Sequence, residues 1–235
     1  MRMLRPAVDM AMTLLLLLSM AYEMVGPAFE ILCEKLFGVS FDGYETGGII
    51  HEWLGTALIL LFFWHLWLNR YWLKNLFKGR YNATRTVLAL ANLLLIIDVG
   101  FLLVSGVMMS KILDLPIEGG MDFARTSHML ASYWGYVIMS FHVGLYWHVM
   151  SGMMFRRPSL ASGVLPHAAA VGLMVYGAYA FVKRQLGEYM FLTSQFVFFD
   201  FEEPIAYFFL DYIAIMILFA CLGHYLILLF RGLKI

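Results

Sequence analysis

Charge is what this sequence has least of. Only 14% of its 235 residues are charged and 62% are hydrophobic, where a soluble protein carries about 25% charged residues. That shortage excludes a water-soluble domain of ordinary size and points to a chain embedded in lipid. The charges that exist cancel, 16 basic against 16 acidic, and no basic region is suited to phosphates, so no nucleic acid partner is expected. Cysteine is nearly absent: Cys33 and Cys221 have neither metal spacing nor a disulfide framework. No Cys-x-x-Cys-His occurs, so a haem held by thioether bonds is excluded. There is no glycine-rich nucleotide fingerprint, which excludes a self-contained NADPH-driven reductase. No linker or low-complexity tract stands out, and residues 1–235 read as one domain.

What the chain does have is long apolar runs. About 20 such residues cross the hydrocarbon core of a bilayer, and six stretches reach that length. They lie near Val8–Leu32, Gly48–Asn69, Thr86–Met109, Ser127–Met150, Leu160–Val182 and Ile205–Phe230. Lipid satisfies no backbone group, so runs of this length span as helices. The expected fold is all-α, an integral membrane six-helix bundle. Arg2, Arg5 and the leucines that follow resemble a secretory signal. No small-x-small cleavage site follows them, and the apolar character continues past Glu23, so a retained first helix is expected.

Loop charge sets the orientation. Arg2 and Arg5, then Arg70, Lys74, Lys78, Arg80 and Arg85, then Arg156 and Arg157, then Arg231 and Lys234 all fall at one set of alternate ends. The other ends hold Lys35, Lys111, Arg125, Lys183 and Arg184 among most of the acids. Basic loops stay inside, which puts both termini in the cytoplasm. The second and fourth stretches then both run from outside to inside.

Those two stretches share a pattern. His51 and His65 are separated by thirteen residues, and so are His128 and His142. At about 100° per residue, fourteen steps return to within roughly 40° of one helix face, about 21 Å along the axis. Parallel helices carrying these pairs match His51 with His128 near the outer face, and His65 with His142 near the inner one. A neutral imidazole nitrogen is a strong ligand for haem iron, and two axial histidines leave no open site for oxygen. The expected cofactors are therefore two non-covalent haem b groups between the second and fourth helices. The stripes between the histidines run through Gly55, Leu58 and Phe62 on one helix, and through Ser132, Gly135 and Met139 on the other. Gly55 and Gly135 are expected to leave room for a macrocycle. A single histidine in a span serves readily as an interhelical hydrogen bonder, but two helices repeating one interval at one depth need a further reason. Zinc would need cysteines or clustered carboxylates to complete its ligand set.

These histidine helices resemble the haem-binding core of membrane cytochromes b, ferric-reductase-type proteins included. Three stretches are more narrowly similar to a bacterial family of small membrane cytochromes associated with flavinylated extracytosolic proteins. They are His51-Glu52-Trp53-Leu54-Gly55 with His65-Leu66-Trp67-Leu68-Asn69, the segment from His128 to Trp147 containing Ser132-Tyr133-Trp134-Gly135, and Phe198-Phe199-Asp200-Phe201-Glu202-Glu203-Pro204. The resemblance implies two b-type haems on His51, His65, His128 and His142, a place in the bacterial cytoplasmic membrane, and electron exchange with an outward-facing flavoprotein. The chain departs from the family at Tyr146, where a histidine often precedes the tryptophan.

The remaining polar residues suggest lesser roles. Arg125 and Arg70 lie near the outer and inner pairs and are candidates to neutralise haem propionates. Glu52 is a candidate proton relay or imidazole partner. His148, His167 and His224 fall at one depth near the inner face, as a candidate quinone or proton site; a third haem between His148 and His224 is the other reading, and snorkelling interfacial histidines the plainer one. Asp98 and Asp211 must pair or face the interior, because a lipid-facing carboxylate is costly. The stretch from Gly187 to Glu203 is expected outside, as an amphipathic cap or a docking face. Functionally, the chain reads as a dihaem conduit between the quinone pool and an extracytosolic partner. The alternatives are a cytochrome b subunit of a larger hydrogenase- or formate-dehydrogenase-type oxidoreductase, and a non-redox scaffold or transporter.

Overall fold

A computed structural model describes residues 4–38, 42–113, 115–116, 119–154, 164–200 and 202–232. Among these residues every regular element is helical, as unbroken apolar runs require. In chain order they are α1 (Leu4–Met20), α2 (Tyr22–Phe37), α3 (Gly43–Leu68), α4 (Arg70–Asn75), α5 (Ala83–Met109), α6 (Met121–Met154), α7 (Val164–Lys183), α8 (Leu186–Met190) and α9 (Ile205–Gly232). Arg2, Arg156, Arg157 and Lys234, which enter the charge argument, lie outside the described residues, as do residues 160–163 of the fifth apolar stretch and Phe201.

One expected stretch is divided. Residues 8–32 do not form a single helix; the chain turns at Ala21 between α1 and α2. Pro27 lies inside α2. Its ring removes the bond to the carbonyl of Glu23 and crowds that carbonyl, weakening the helix just downstream of Ala21. Hydropathy counts such a stretch as one span because it is blind to this backbone defect.

Among the described residues three segments are long and apolar enough to cross a membrane: Glu45–Leu68, Ala83–Met109 and Ile205–Phe230, of 24, 27 and 26 residues. They mark a membrane protein. The apolar helix Ala168–Lys183 is shorter. At 34 residues α6 is the longest element, but it carries Asp122, Arg125, three histidines and several serines. α6 packs between α5 and α9, its serines donate to carbonyls of its own preceding turn, and His128 meets Ser105 of α5.

Around α6 the arrangement is simple. α7 packs on the far part of α9, α1 and α2 pack on α3, and α1 also reaches α6. α3 and α6 make at most marginal backbone contact. Glycines set the α6–α9 crossing. A Cβ at Gly144 would collide with the Ala220 carbonyl, and one at Gly223 with the Phe141 carbonyl. Small residues let backbones approach this closely in helix pairs that lack a hydrophobic driving force. Gly152, on the same helix, has nothing within 4 Å of its would-be Cβ. Gly144→Ala is therefore expected to destabilise by about 2 kcal/mol or more, because a backbone carbonyl cannot rotate away. Gly152→Ala is expected to be neutral or to stabilise by a few tenths of a kcal/mol to about 1 kcal/mol. Thermal unfolding of the two variants in detergent checks the contrast; equal midpoints would refute the close crossing.

One end of the bundle is closed by aromatic packing. Tyr133 and Tyr189 lie 4.7 Å apart between ring centres, Phe208 stacks on Tyr212 at 4.5 Å, and the Tyr136 hydroxyl donates to the Tyr212 carbonyl. Trp134 Nε1 donates to the Met190 carbonyl at 2.8 Å and fixes α8 over α6. Beneath α8, the fully buried Asp211 accepts from Lys183 Nζ at 2.8 Å, Arg184 Nε at 2.7 Å and the Tyr176 hydroxyl at 2.6 Å. Glu203 holds the same two cations, at 3.0 Å from Lys183 and 2.5 Å from Arg184. Asp211 is thus paired, as one of the two expected outcomes for an acid in an apolar run, by cations at the end of α7.

Candidate functional site

His51 on α3 and His128 on α6 meet across the gap between their helices. Their ring centres are 5.9 Å apart with the planes at 74°. Both rings are held by Nδ1. His51 Nδ1 lies 3.2 Å from the Ser19 carbonyl, which can only accept, so this nitrogen carries the proton. His128 Nδ1 lies 3.0 Å from Ser105 Oγ. The Ser105 proton goes to the Phe101 carbonyl at 2.6 Å, so toward His128 the hydroxyl accepts. Each imidazole therefore keeps Nε2 as its lone-pair nitrogen, the form in which histidine binds a metal.

The spacing suits a shared iron. A metal–imidazole bond of about 2 Å on each side, plus the ring radii, separates two axial ring centres by roughly 6 Å. Three further features leave room or an open polar atom there. α3 and α6 stand apart, a Cβ at Gly55 would meet nothing within 4 Å, and the buried Ser19 hydroxyl has no partner among the described residues. Gly106 of α5 lies against the ring of His128; its would-be Cβ is 3.7 Å from Cε1.

The second pair, His65 on α3 and His142 on α6, also has both Nδ1 atoms held, but by partners of opposite kind. His65 Nδ1 contacts Asp9 Oδ1 at 2.7 Å, an acceptor that again leaves the lone pair on Nε2, which the Asn69 amide NH2 approaches at 3.5 Å. His142 stacks on Tyr146 at 4.8 Å, and the Asn92 amide lies 3.0 Å from its Nδ1. With its carbonyl toward the ring, Asn92 would oppose the Leu88 carbonyl at 3.3 Å and set its NH2 against the Trp72 N–H, so that orientation is disfavoured. Turned over, its NH2 donates to Nδ1 while its carbonyl accepts from Trp72 Nε1 at 3.3 Å and the Tyr146 hydroxyl at 3.1 Å. The Asn92 orientation is thus coupled to the His142 tautomer. His142 lies within electrostatic reach of both His65 and Asp9, which puts the three in one neighbourhood.

Sequence reading misses Asp9, Ser19, Asn92, Ser105 and Gly106. A signal was present for some of them: Asp9 and Asn92 are isolated polar residues inside apolar runs, where a polar group needs a partner. The partner of Asp9 becomes visible only once α1 docks antiparallel on α3, with Arg5 Nη2 bonding the Leu68 carbonyl at 3.0 Å, Asp9 at His65 and Ser19 at His51.

Other expected residues have different neighbours. Gly135 faces Asp98, not an open slot: a Cβ there would overlap the Asp98 carboxylate. Arg70 stacks on Trp67 and Tyr71, at 4.7 and 5.3 Å, and donates to the Trp67 carbonyl at 3.2 Å. Arg125 is exposed. His148 is exposed, His224 packs edge-on against Tyr225 at 5.5 Å, and the His167 side chain lies outside the described residues.

Glu52 accepts from Ser110 Oγ at 2.8 Å and from the backbone N–H groups of Lys111 and Ile112, both at 3.1 Å. It staples α3 to the chain leaving α5 and thereby fixes the approach to α6. Glu52→Gln removes the charge from these bonds, at a cost of about 1–2 kcal/mol. Amide hydrogen exchange at Lys111 and Ile112 is expected to quicken about tenfold or more, and unchanged exchange would refute the staple.

At the His142 end, a cavity of about 400 Å³ is lined by Trp72, Lys78, Tyr81, Arg85, Leu88 and Tyr146 among others. Arg85 shapes its wall by donating to the carbonyls of Asn75, Lys78 and Arg80 at 2.8, 2.5 and 3.1 Å. Tyr146 therefore links the cavity to the His142 ring. Among the described residues no group of three or more His, Cys, Asp or Glu side chains is placed to hold a metal ion. The histidine donors come in twos, the number an iron already held by four macrocycle nitrogens requires. The chain matches no family model, no curated protein and no solved structure.

Proposed function

We propose that this protein is a dihaem b-type electron carrier of a bacterial cytoplasmic membrane. In this reading it spans the membrane six times with both termini cytoplasmic, and moves electrons between the quinone pool and an extracytosolic redox partner, a flavoprotein being the implied one. The observation that carries the proposal is the opposition of His51 and His128 at 5.9 Å with both Nδ1 atoms held. Haem b, when bound, supplies a one-electron couple with no open coordination site.

The chain's own residues do the rest. His51 and His128 would hold the outer group, and His65 and His142 the inner one, at levels about 21 Å apart. Ser19, Ser105, Asp9 and Asn92 orient the four rings, and such partners raise ligand basicity as well as fixing direction. The cavity beside Tyr146 supports entry of a quinol headgroup at the inner end, with aromatic walls for the ring and a basic rim at Lys78.

A dithionite-reduced minus oxidised spectrum of the purified protein, with a haem-to-protein ratio, tests the proposal. Two haems per chain with b-type bands are expected, and a featureless spectrum from a well-assembled preparation would leave a scaffold or transporter. A second reading, a cytochrome b subunit of a larger hydrogenase- or formate-dehydrogenase-type oxidoreductase, draws on the exposed Phe191, Phe196 and Phe198 of the segment after α8. Apolar side chains gathered on an ordered surface suit a docked subunit. Quinol oxidation by the chain alone favours the carrier, and dependence on a co-purifying catalytic subunit favours the second reading.

A further inference from the structure

α5 meets α6 in an antiparallel register: Ser105 lies at His128, Asn92 at His142, and between them Asp98 lies against Gly135. The missing Cβ of Gly135 is what admits the carboxyl group, since a Cβ there would be 3.0 Å from Asp98 Cγ. Gly135 is seven residues from both His128 and His142, so Asp98 sits midway, about 10 Å along the axis from either pair. Asp98 is 8% exposed, and burial, with no hydrogen bond from a described residue, is what acts on its carboxyl group. An ionised carboxylate in such a place is costly unless a nearby charge compensates it.

The helices packed against α5 supply no fixed compensating charge at that level. On α6 the titratable groups within a turn of Gly135 are Tyr133 and Tyr136, with His128 and His142 further out. α3 has none between Glu52 and His65, and His51 lies beyond. α9 brings Asp211 and Tyr212, with Asp211 already matched by Lys183 and Arg184, and Cys221, His224 and Tyr225 further along. Asp98 is then neutral unless what the two histidine pairs bind supplies a compensating charge.

We propose that Asp98 is a redox-linked proton-binding site set between the two haem positions. The inference rests on the dihaem reading above. Asp98 gives up its proton while the irons are ferric and carry a net positive charge, and takes one up when they are reduced. The electron comes from a quinol-class donor and the proton from the adjoining water. Reoxidation passes the electron to the outer acceptor and returns the proton to water, so charge balances in both directions. At about 10 Å and an effective dielectric near 20, each iron's charge changes the proton affinity of Asp98 roughly tenfold.

Redox titration of the purified holoprotein across pH is the test, run on wild type and on Asp98→Asn. In the wild type the haem potentials should fall as pH rises. In Asp98→Asn the haem content should stay at two per chain and that pH dependence should disappear. Redox-difference infrared spectra should show a carboxylic acid band that grows on reduction, shifts with isotopic labelling of aspartate and is absent in the variant. If Asp98→Asn does not fold, the labelled wild type still decides: no aspartate band on reduction overturns the proposal. Two haems with pH-independent potentials in the wild type overturn it and leave the dihaem reading intact. A wild type without haem overturns both.

Discussion

Alanine at His128 is expected to lower the haem content from two per chain to one. Alanine at His51 should remove the same haem, so the double variant His51→Ala/His128→Ala loses no more than either single one. This non-additivity is the signature of two ligands on one iron. His65→Ala and His142→Ala should behave likewise for the other haem. The rings themselves set this pairing at the first site, because His51 and His128 face one another while α3 and α6 stay apart. The partners of Nδ1 give a graded version of the experiment. Asp9→Asn and Ser105→Ala leave all four histidines in place but loosen a ring, and loss of such a partner typically weakens metal binding about 10–100-fold. Haem retention during dilution should fall at the inner pair for Asp9→Asn and at the outer pair for Ser105→Ala. Crosswise loss, with His51 and His142 sharing a haem, would refute the assigned partners. Loss of both haems from every single variant would point to a folding role for the histidines.

The helices and the histidine interval were legible in the sequence because both are one-dimensional. Apolar runs report spans, and fourteen residues report a shared helix face whatever surrounds it. What was not legible depends on contact between distant elements. Nothing local says that Asp9 will meet His65, because that contact requires α1 to lie antiparallel on α3. The role of Gly135 was misjudged for the same reason. A glycine on the histidine stripe leaves room, but only the register of α5 shows that Asp98 fills it. Glu52 likewise stood next to His51 in sequence, yet its carboxylate binds the backbone beyond α5. The division at Ala21 lay within reach of sequence reasoning, since Pro27 stands a few residues on, but hydropathy averaged over it.

The largest expected loss of stability lies at Asp211, away from the histidines. Two positive side chains, Lys183 and Arg184, face two negative ones, Glu203 and Asp211, and only Asp211 is wholly buried. Asp211→Asn keeps the shape but leaves two cations sharing one carboxylate. Breaking a buried ion pair from one side costs about 3–5 kcal/mol, because the remaining charge keeps its desolvation penalty and loses its partner. For a chain of this size that corresponds to a fall in unfolding midpoint of about 10 °C or somewhat more. Removing a cation at the same time should help: Lys183→Met/Asp211→Asn restores one charge of each sign and is expected to recover more than half of the loss. Thermal unfolding in detergent, followed by helical circular dichroism, measures both variants. A midpoint for Asp211→Asn within about 2 °C of wild type would mean that water reaches the cluster and screens it. A double variant no better than the single one would mean that the hydrogen bonds matter and the charge balance does not. The expected order, wild type above the double variant above Asp211→Asn, identifies the cluster as an electrostatic clamp. It would hold the end of α7 and the segment after α8 against α9.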